Sequence, residues 1–245
     1  MPTTGFFSEV VETSVKWPFF IKLSESESLA QGTSMYFDYV ELFNITVLVF
    51  AYLISTVFTG FLQAYVTTFL GDHTAEEEGF LSLNPYYYFD FIGFMALFVF
   101  GYGWGAQVPI NRYNLFPPYE KLKYYLATSS RAFFCFLLAF FGMLFLKGMT
   151  VYLGSGMLIP SYIVMLITTF VKALVSYNIL GSFIYIFYPF TTWAILEIAS
   201  GLGYDLTEED HHIILFIQLI ILILGSSYFN YVIIALYSGL YNLIF

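Results

Sequence analysis

Charge is scarce in this chain. Only 10% of its 245 residues are Asp, Glu, Lys or Arg, against about 25% in a soluble domain. Eight Lys and Arg face 17 Asp and Glu, for a net charge of -9. That balance excludes the basic patch that a nucleic-acid partner requires. Cysteine occurs once, at Cys135, so no internal disulfide can form. A single Cys in an apolar run reads as a buried, inert thiol. No secretory signal is visible: "MPTTGFFSEVVETSVKWPFFIKLSESES" lacks a basic region followed by an apolar core.

Apolar residues fill the gap, at 59% of the chain, with 30 Phe and 22 Tyr. The composition is that of an integral membrane protein. A helix needs about 20 apolar residues to cross a bilayer. Segments 44–70, 91–108, 131–153, 157–174, 177–196 and 213–245 meet or approach that length. The second contains "GYGWG", the fifth Pro189, and Lys147 and Lys172 interrupt the third and fourth. The expected fold is therefore an all-α polytopic membrane protein of about six transmembrane helices, with a short membrane-boundary β segment near 79–84. Residues 1–43 form a soluble or interfacial arm, and 44–245 the membrane domain. The arm mixes aromatic and charged residues, which suits an amphipathic surface helix or a docking segment. The first span, near Asn44, is expected to direct insertion.

Basic residues in short loops set orientation. Arg112, Lys121, Lys123 and Arg131 are half of all eight. Loops 71–90 and 199–212 carry acids and no base. Alternation of sides then places the N-terminus and the 109–131 loop in the cytoplasm, and both acidic loops outside. The membrane is expected to be a bacterial inner membrane or an organellar one.

Several motifs stand in a fixed order. "AYVTTFLGDHTAEEEGFLSLNPYYYFDFIG" (Ala64 to Gly93) ends a helix at Gly71-Asp72. It continues through Thr74-Ala75, the run Gly79 to Pro85, Asp90 and Ile92-Gly93. "GYGWGAQVPINRYNL" follows, with Trp104, Val108, Pro109, Ile110 and Asn111. This ordered set resembles the site-2 protease family of intramembrane zinc metalloproteases. The likeness is good over about 58–127 and faint to about 196. In the family, a His-Glu-x-x-His helix places two zinc ligands on one face, beside a general base. Counting back from Ala64, those positions hold Thr59, Gly60 and Gln63. The family's later Asp ligand aligns with Thr191, and its Ala-Gly-Pro turn with Ala127-Thr128-Ser129. A second argument does not depend on register. The histidines are His73, His211 and His212, and no two stand four apart.

The expectation from sequence is therefore a chain that is not an enzyme, with no cofactor and no metal. It would be a structural or adaptor subunit of a hetero-oligomeric membrane complex, partnered by other integral membrane proteins and lipids. The alternative is a pseudoprotease that binds transmembrane segments and regulates their processing. Gly79, Leu81, Leu83, Asn84, Pro85, Trp104, Pro109 and Asn111 are candidates for partner or peptide binding, because family members hold substrate by strand addition in this region. Gly60 either lets a helix approach closely or fills space. Thr59 and Gln63 bond a partner or satisfy the backbone. Lys147 and Lys172 either serve function or snorkel to the interface. "TEEDHH" (Thr207 to His212) reads as a solvated acidic loop.

Overall fold

In a computed structural model of the protein, the described residues are 39–100, 102–154 and 161–204, with 235, 238, 239 and 242–244 near the C-terminus. The arm up to residue 38, the "TEEDHH" loop and most of the expected 213–245 span lie outside them. Every regular element among the described residues is helical. Three helices are long and apolar enough to cross a membrane: Leu42–Phe69, Glu120–Tyr152 and Tyr162–Gly201. The described residues are thus those of an all-helical membrane protein, with three such helices where six spans were expected.

Helix α1 (Tyr39–Phe69) shows the inverted pattern of a membrane helix. Its buried face carries Ser55, Thr56, Thr59, Gln63 and Thr67, while Phe50, Ile54, Phe58, Tyr65 and Phe69 point outward. Each buried hydroxyl must find an acceptor away from water. Thr56, Thr59 and Thr67 each donate to the carbonyl four residues back in the same helix, at 2.7–2.9 Å. The helix stops at Gly71, whose φ of 109° suits glycine.

Several expected elements change identity. Spans four and five are one helix, because nothing between Met157 and Leu196 that the structure describes breaks it. With α2 (Thr74–Glu77), α3 (Pro85–Tyr88), α4 (Phe91–Phe100) and α5 (Glu120–Gly154) preceding it, this is α6 (Ser161–Gly201). It contains Pro189 without ending there. The expected 79–84 strand is a series of turns. Gly79 has a φ of 86°, Ser82 Oγ donates to Gly79 O at 2.9 Å, and Asn84 caps α3 by accepting from Tyr86 N at 3.1 Å. That local bonding competes with a ladder.

The expected 91–108 span is a re-entrant hairpin. Helix α4 has ten residues, about 15 Å of rise and half a bilayer core. It descends along α1, from the level of Ala64, where Phe80, Tyr88 and Val108 pack, to that of Tyr52, where Leu97 and Tyr102 pack. Residues 102–111 then return. Tyr52 Oη donates to Trp104 O at 3.0 Å, Ala106 N donates to Tyr88 O at 2.9 Å, and Asn111 N reaches Asp72. Irregular backbone at this depth is tolerated because protein surrounds it.

Alternation of sides fails in consequence. The acidic loop 71–90 and the loop from 109 meet at one end of α1, opposite the end at Tyr39. Asp72 joins them and is fully buried. Its Oδ2 accepts from Asn111 N at 2.6 Å, and its Oδ1 accepts from Thr74 N at 3.1 Å, Thr74 Oγ1 at 2.5 Å and Asn114 Nδ2 at 3.3 Å. Asp72→Ala orphans these donors and should cost about 2–4 kcal/mol, since bonds to a charged group are each worth roughly 1.5–3 kcal/mol net of water. Limited proteolysis should then cut between 72 and 119 much faster than in the wild type. Unchanged cleavage would refute the anchoring role.

Helix α5 runs antiparallel to both α1 and α6. A methyl on Gly142 would lie 2.5 Å from Val175 Cγ2, and one on Gly181 would lie 3.3 Å from Cys135 Sγ. Small residues thus bring α5 and α6 together, as between membrane helices generally. Ala139, Met143, Val175, Ile179 and Ile244 form the core at one end of this seam. Lys147 Nζ donates to Ile244 O there, so this lysine is tied into the bundle.

Candidate functional site

The motif positions on α1 open toward the hairpin and α5. Gly60 faces Tyr88: a Cβ there would sit 2.5 Å from Cδ1 and 2.7 Å from Cε1 of that ring. The ring is fully buried, packs edge-on to Phe80 with centroids 5.4 Å apart, and its hydroxyl donates to Phe80 O. Gly60 is therefore the seat of an aromatic side chain. One turn on, Gln63 is 5% exposed, and its Nε2 donates to Ala127 O at 3.3 Å and reaches toward Thr128 O at 3.5 Å. Residues 127–129 lie inside continuous α5 and form no turn. Thr59 lies beside the Cys135 thiol and gives its proton to Ser55 O. Thr191 Oγ1 donates to Phe187 O and Tyr188 O of its own helix.

The zinc that the family resemblance implies does not fit this face. Thr59, Gly60 and Gln63 offer a hydroxyl, no side chain and an amide where imidazoles and a carboxylate would stand. No group of three His, Cys, Asp or Glu among the described residues could hold a metal ion.

A cation does occupy the centre of the site, and in the sequence it counts only as a loop charge. Arg131 is 2% exposed and lies well inside α5. Its Nη1 donates to Ala106 O at 2.8 Å, and Nη2 reaches Thr56 O at 3.4 Å. The guanidinium carbon lies 4.4 Å from the Tyr185 ring centroid, within cation–π range. One side chain thereby ties together the hairpin, α1, α5 and α6. In the sequence it opens the apolar run 131–153, and nothing local marks its burial.

Comparison with known proteins bears on the family. The chain is 38% identical over 66 residues to "Putative zinc metalloprotease YwhC" of Bacillus subtilis (strain 168). The match covers 25% of this chain and 30% of that protein. No family model and no solved structure matches the chain. The match supports a site-2-protease-like relationship over part of the chain. It also overturns the expectation of a chain that is not an enzyme, since the relative carries a protease's name.

The remaining sequence candidates divide among three places. Gly79, Leu81, Asn84 and Pro85 build the turns under the end of α1, with Leu83 61% exposed beside them. Trp104 contributes its backbone to the hairpin. Pro109 and Asn111 line a boundary cleft of about 380 Å³ with Thr74, Arg112, Tyr113 and Tyr124. Arg112 lies over the Tyr124 ring, 5.5 Å from its centroid.

Proposed function

We propose that the chain is a structural or adaptor subunit of a larger membrane assembly, built on a site-2-protease-like scaffold. The observation that supports this reading most is the filled face of α1. Tyr88 seats on Gly60, Gln63 bonds α5 backbone, and Arg131 links hairpin to helices, so the interior is committed to holding its own shape. The surface offers contacts instead. Leu83, Tyr86, Phe89, Phe91 and Ile92 are exposed together along one boundary segment. Aromatic residues at such a level suit lipid headgroups or neighbouring membrane proteins.

Affinity purification in mild detergent followed by mass spectrometry tests the proposal. A fixed, stoichiometric set of integral membrane partners is the expected result. Recovery as a lone monomer would remove its support. Chelator-sensitive cleavage of a co-reconstituted transmembrane peptide would replace it with a proteolytic role. The partial match to a metalloprotease favours a second reading, in which the exposed 83–92 segment engages transmembrane segments and regulates their processing. Changing sets of crosslinked clients would point there.

A further inference from the structure

The boundary cleft that Thr74, Asn111, Arg112, Tyr113 and Tyr124 help to line holds about 380 Å³, at the small end of ligand-pocket volumes, roughly 300–1,000 Å³. Its walls are set before anything binds. Asn111 N and Asn114 Nδ2 donate to the buried Asp72 carboxylate, and Thr74 Oγ1 donates to it from α2. A site built in advance loses little to ordering on binding. Its level is fixed as well. The membrane-crossing part of α1 ends at Phe69 and that of α5 begins at Glu120. The cleft is built from the segments between them and from Tyr124 near the start of α5, so it lies at the edge of the apolar core of the bilayer.

The unspent groups on these walls are donors. Asn111 Oδ1 accepts from Tyr113 N at 3.0 Å, and its Nδ2 donates to no described residue. Arg112 is exposed, with its guanidinium carbon 5.5 Å from the Tyr124 ring centroid. Stacking occupies the guanidinium face and leaves the in-plane N–H fork for an oxyanion. Among the described residues no carboxylate lies within ion-pair distance of Arg112, and none accepts a hydrogen bond from its side chain. The nearby acids are committed or set back. Asp72 is fully buried and bonded to protein donors, and Glu76 is held by His73 at 2.7 Å. One accessible cation in front of one buried carboxylate suits a singly charged phosphodiester and disfavours a dianionic phosphate or a polyphosphate, because like charges in proximity repel. We propose that this cleft binds the phosphodiester of a phospholipid headgroup, with Arg112 and Asn111 Nδ2 donating to its non-bridging oxygens. The level of the cleft selects a lipid over a soluble phosphodiester, since headgroups lie just outside the hydrocarbon core. Phe69, Phe116 and Leu122 are exposed at this end and offer apolar surface to the acyl chains.

The test uses the full chain in dodecyl maltoside, a detergent without phosphate. Palmitoyl-oleoyl phosphatidylcholine is added to the micelles, and palmitoyl-oleoyl glycerol, with the same chains and no phosphate, is the comparison. Phosphatidylcholine has no net charge, so bulk charge attraction does not contribute. Native mass spectrometry should show one phosphatidylcholine bound per chain, and the unfolding midpoint should rise by a few degrees; the diacylglycerol should do neither. Arg112→Gln should bind phosphatidylcholine about tenfold more weakly or worse, the scale of lost charge-assisted hydrogen bonds. Lys121→Gln, which removes a base that does not line the cleft, should bind as the wild type does. Equal binding by wild type and Arg112→Gln would overturn the proposal, and so would equal losses in Arg112→Gln and Lys121→Gln. Should Arg112→Gln not fold, the wild type alone decides: equal binding of phosphatidylcholine and the diacylglycerol refutes the site. Glycerophosphocholine, the same headgroup without chains, separates the sources. A midpoint rise equal to that of the lipid at matched concentration would overturn the lipid assignment in favour of a soluble phosphodiester.

Discussion

Gly93→Ala should destroy the re-entrant hairpin. A Cβ at Gly93 would sit 2.0 Å from Trp104 O, 2.8 Å from Trp104 C and 2.9 Å from Trp104 N. All three are backbone atoms, so no side chain can rotate away. The opposing residue is equally constrained, because a Cβ on Gly103 would lie 2.2 Å from Gly93 O. The two arms touch main chain to main chain. The added methyl must push them apart, and with them Tyr52's bond to Trp104 O and Arg131's bond to Ala106 O. Overpacking usually costs about 1–3 kcal/mol; the absence of a yielding neighbour puts this case at about 3 kcal/mol or more. Gly148→Ala is the control. Gly148 lies in α5, and a Cβ there would meet nothing within 4 Å. Ala at that position gains up to about 1 kcal/mol of helix propensity. Thermal unfolding in detergent should separate the two variants widely. Equal midpoints would mean that the arms do not touch.

The same hairpin marks where sequence reasoning stops. Hydropathy identifies 91–108 as uncharged and apolar, and "GYGWG" as irregular. It does not tell a segment facing lipid from one facing protein, because both exclude charge. The deciding residues are Gly93 and Gly103, and their pairing is a tertiary fact. The motif order is more informative at the boundary. Gly71-Asp72 and Pro109-Ile110-Asn111 stand as separate motifs in the sequence, and the structure joins them through the Asp72 carboxylate. Gly60 is legible as a place for close approach, but the approaching group is a tyrosine ring from 28 residues on in the chain, not another helix. Helix α6 divides near Ser176 in the sequence because two apolar windows of ordinary length fit it; no local breaker stands there, and the helix continues. Pro189 is equally uninformative, since a proline inside a membrane helix can be accommodated where nearby hydroxyls and neighbouring helices satisfy the freed backbone.

Arg131 escapes for a different reason, and it supports the sharpest mutational contrast. In sequence it is a basic residue at the end of a basic loop, and orientation rules count it there. In the structure it is a buried fork across two carbonyls. Arg131→Lys should therefore be worse than Arg131→Met. Lysine keeps the full charge in the interior but presents a compact ammonium that cannot reproduce the planar fork. A buried charge without adequate partners costs about 3–5 kcal/mol. Methionine loses the carbonyl bonds but removes the charge and its desolvation cost along with them. Its net penalty should be about 1–3 kcal/mol, the range for leaving a buried acceptor unsatisfied. Cys135 provides the readout, one helical turn away and 1% exposed. A membrane-permeant maleimide should label it slowly in the wild type, faster in Arg131→Met, and fastest in Arg131→Lys, with unfolding midpoints in the reverse order. If lysine behaved as the wild type, a point charge alone would suffice at this position. The two-carbonyl fork would then not be what holds the hairpin to α1.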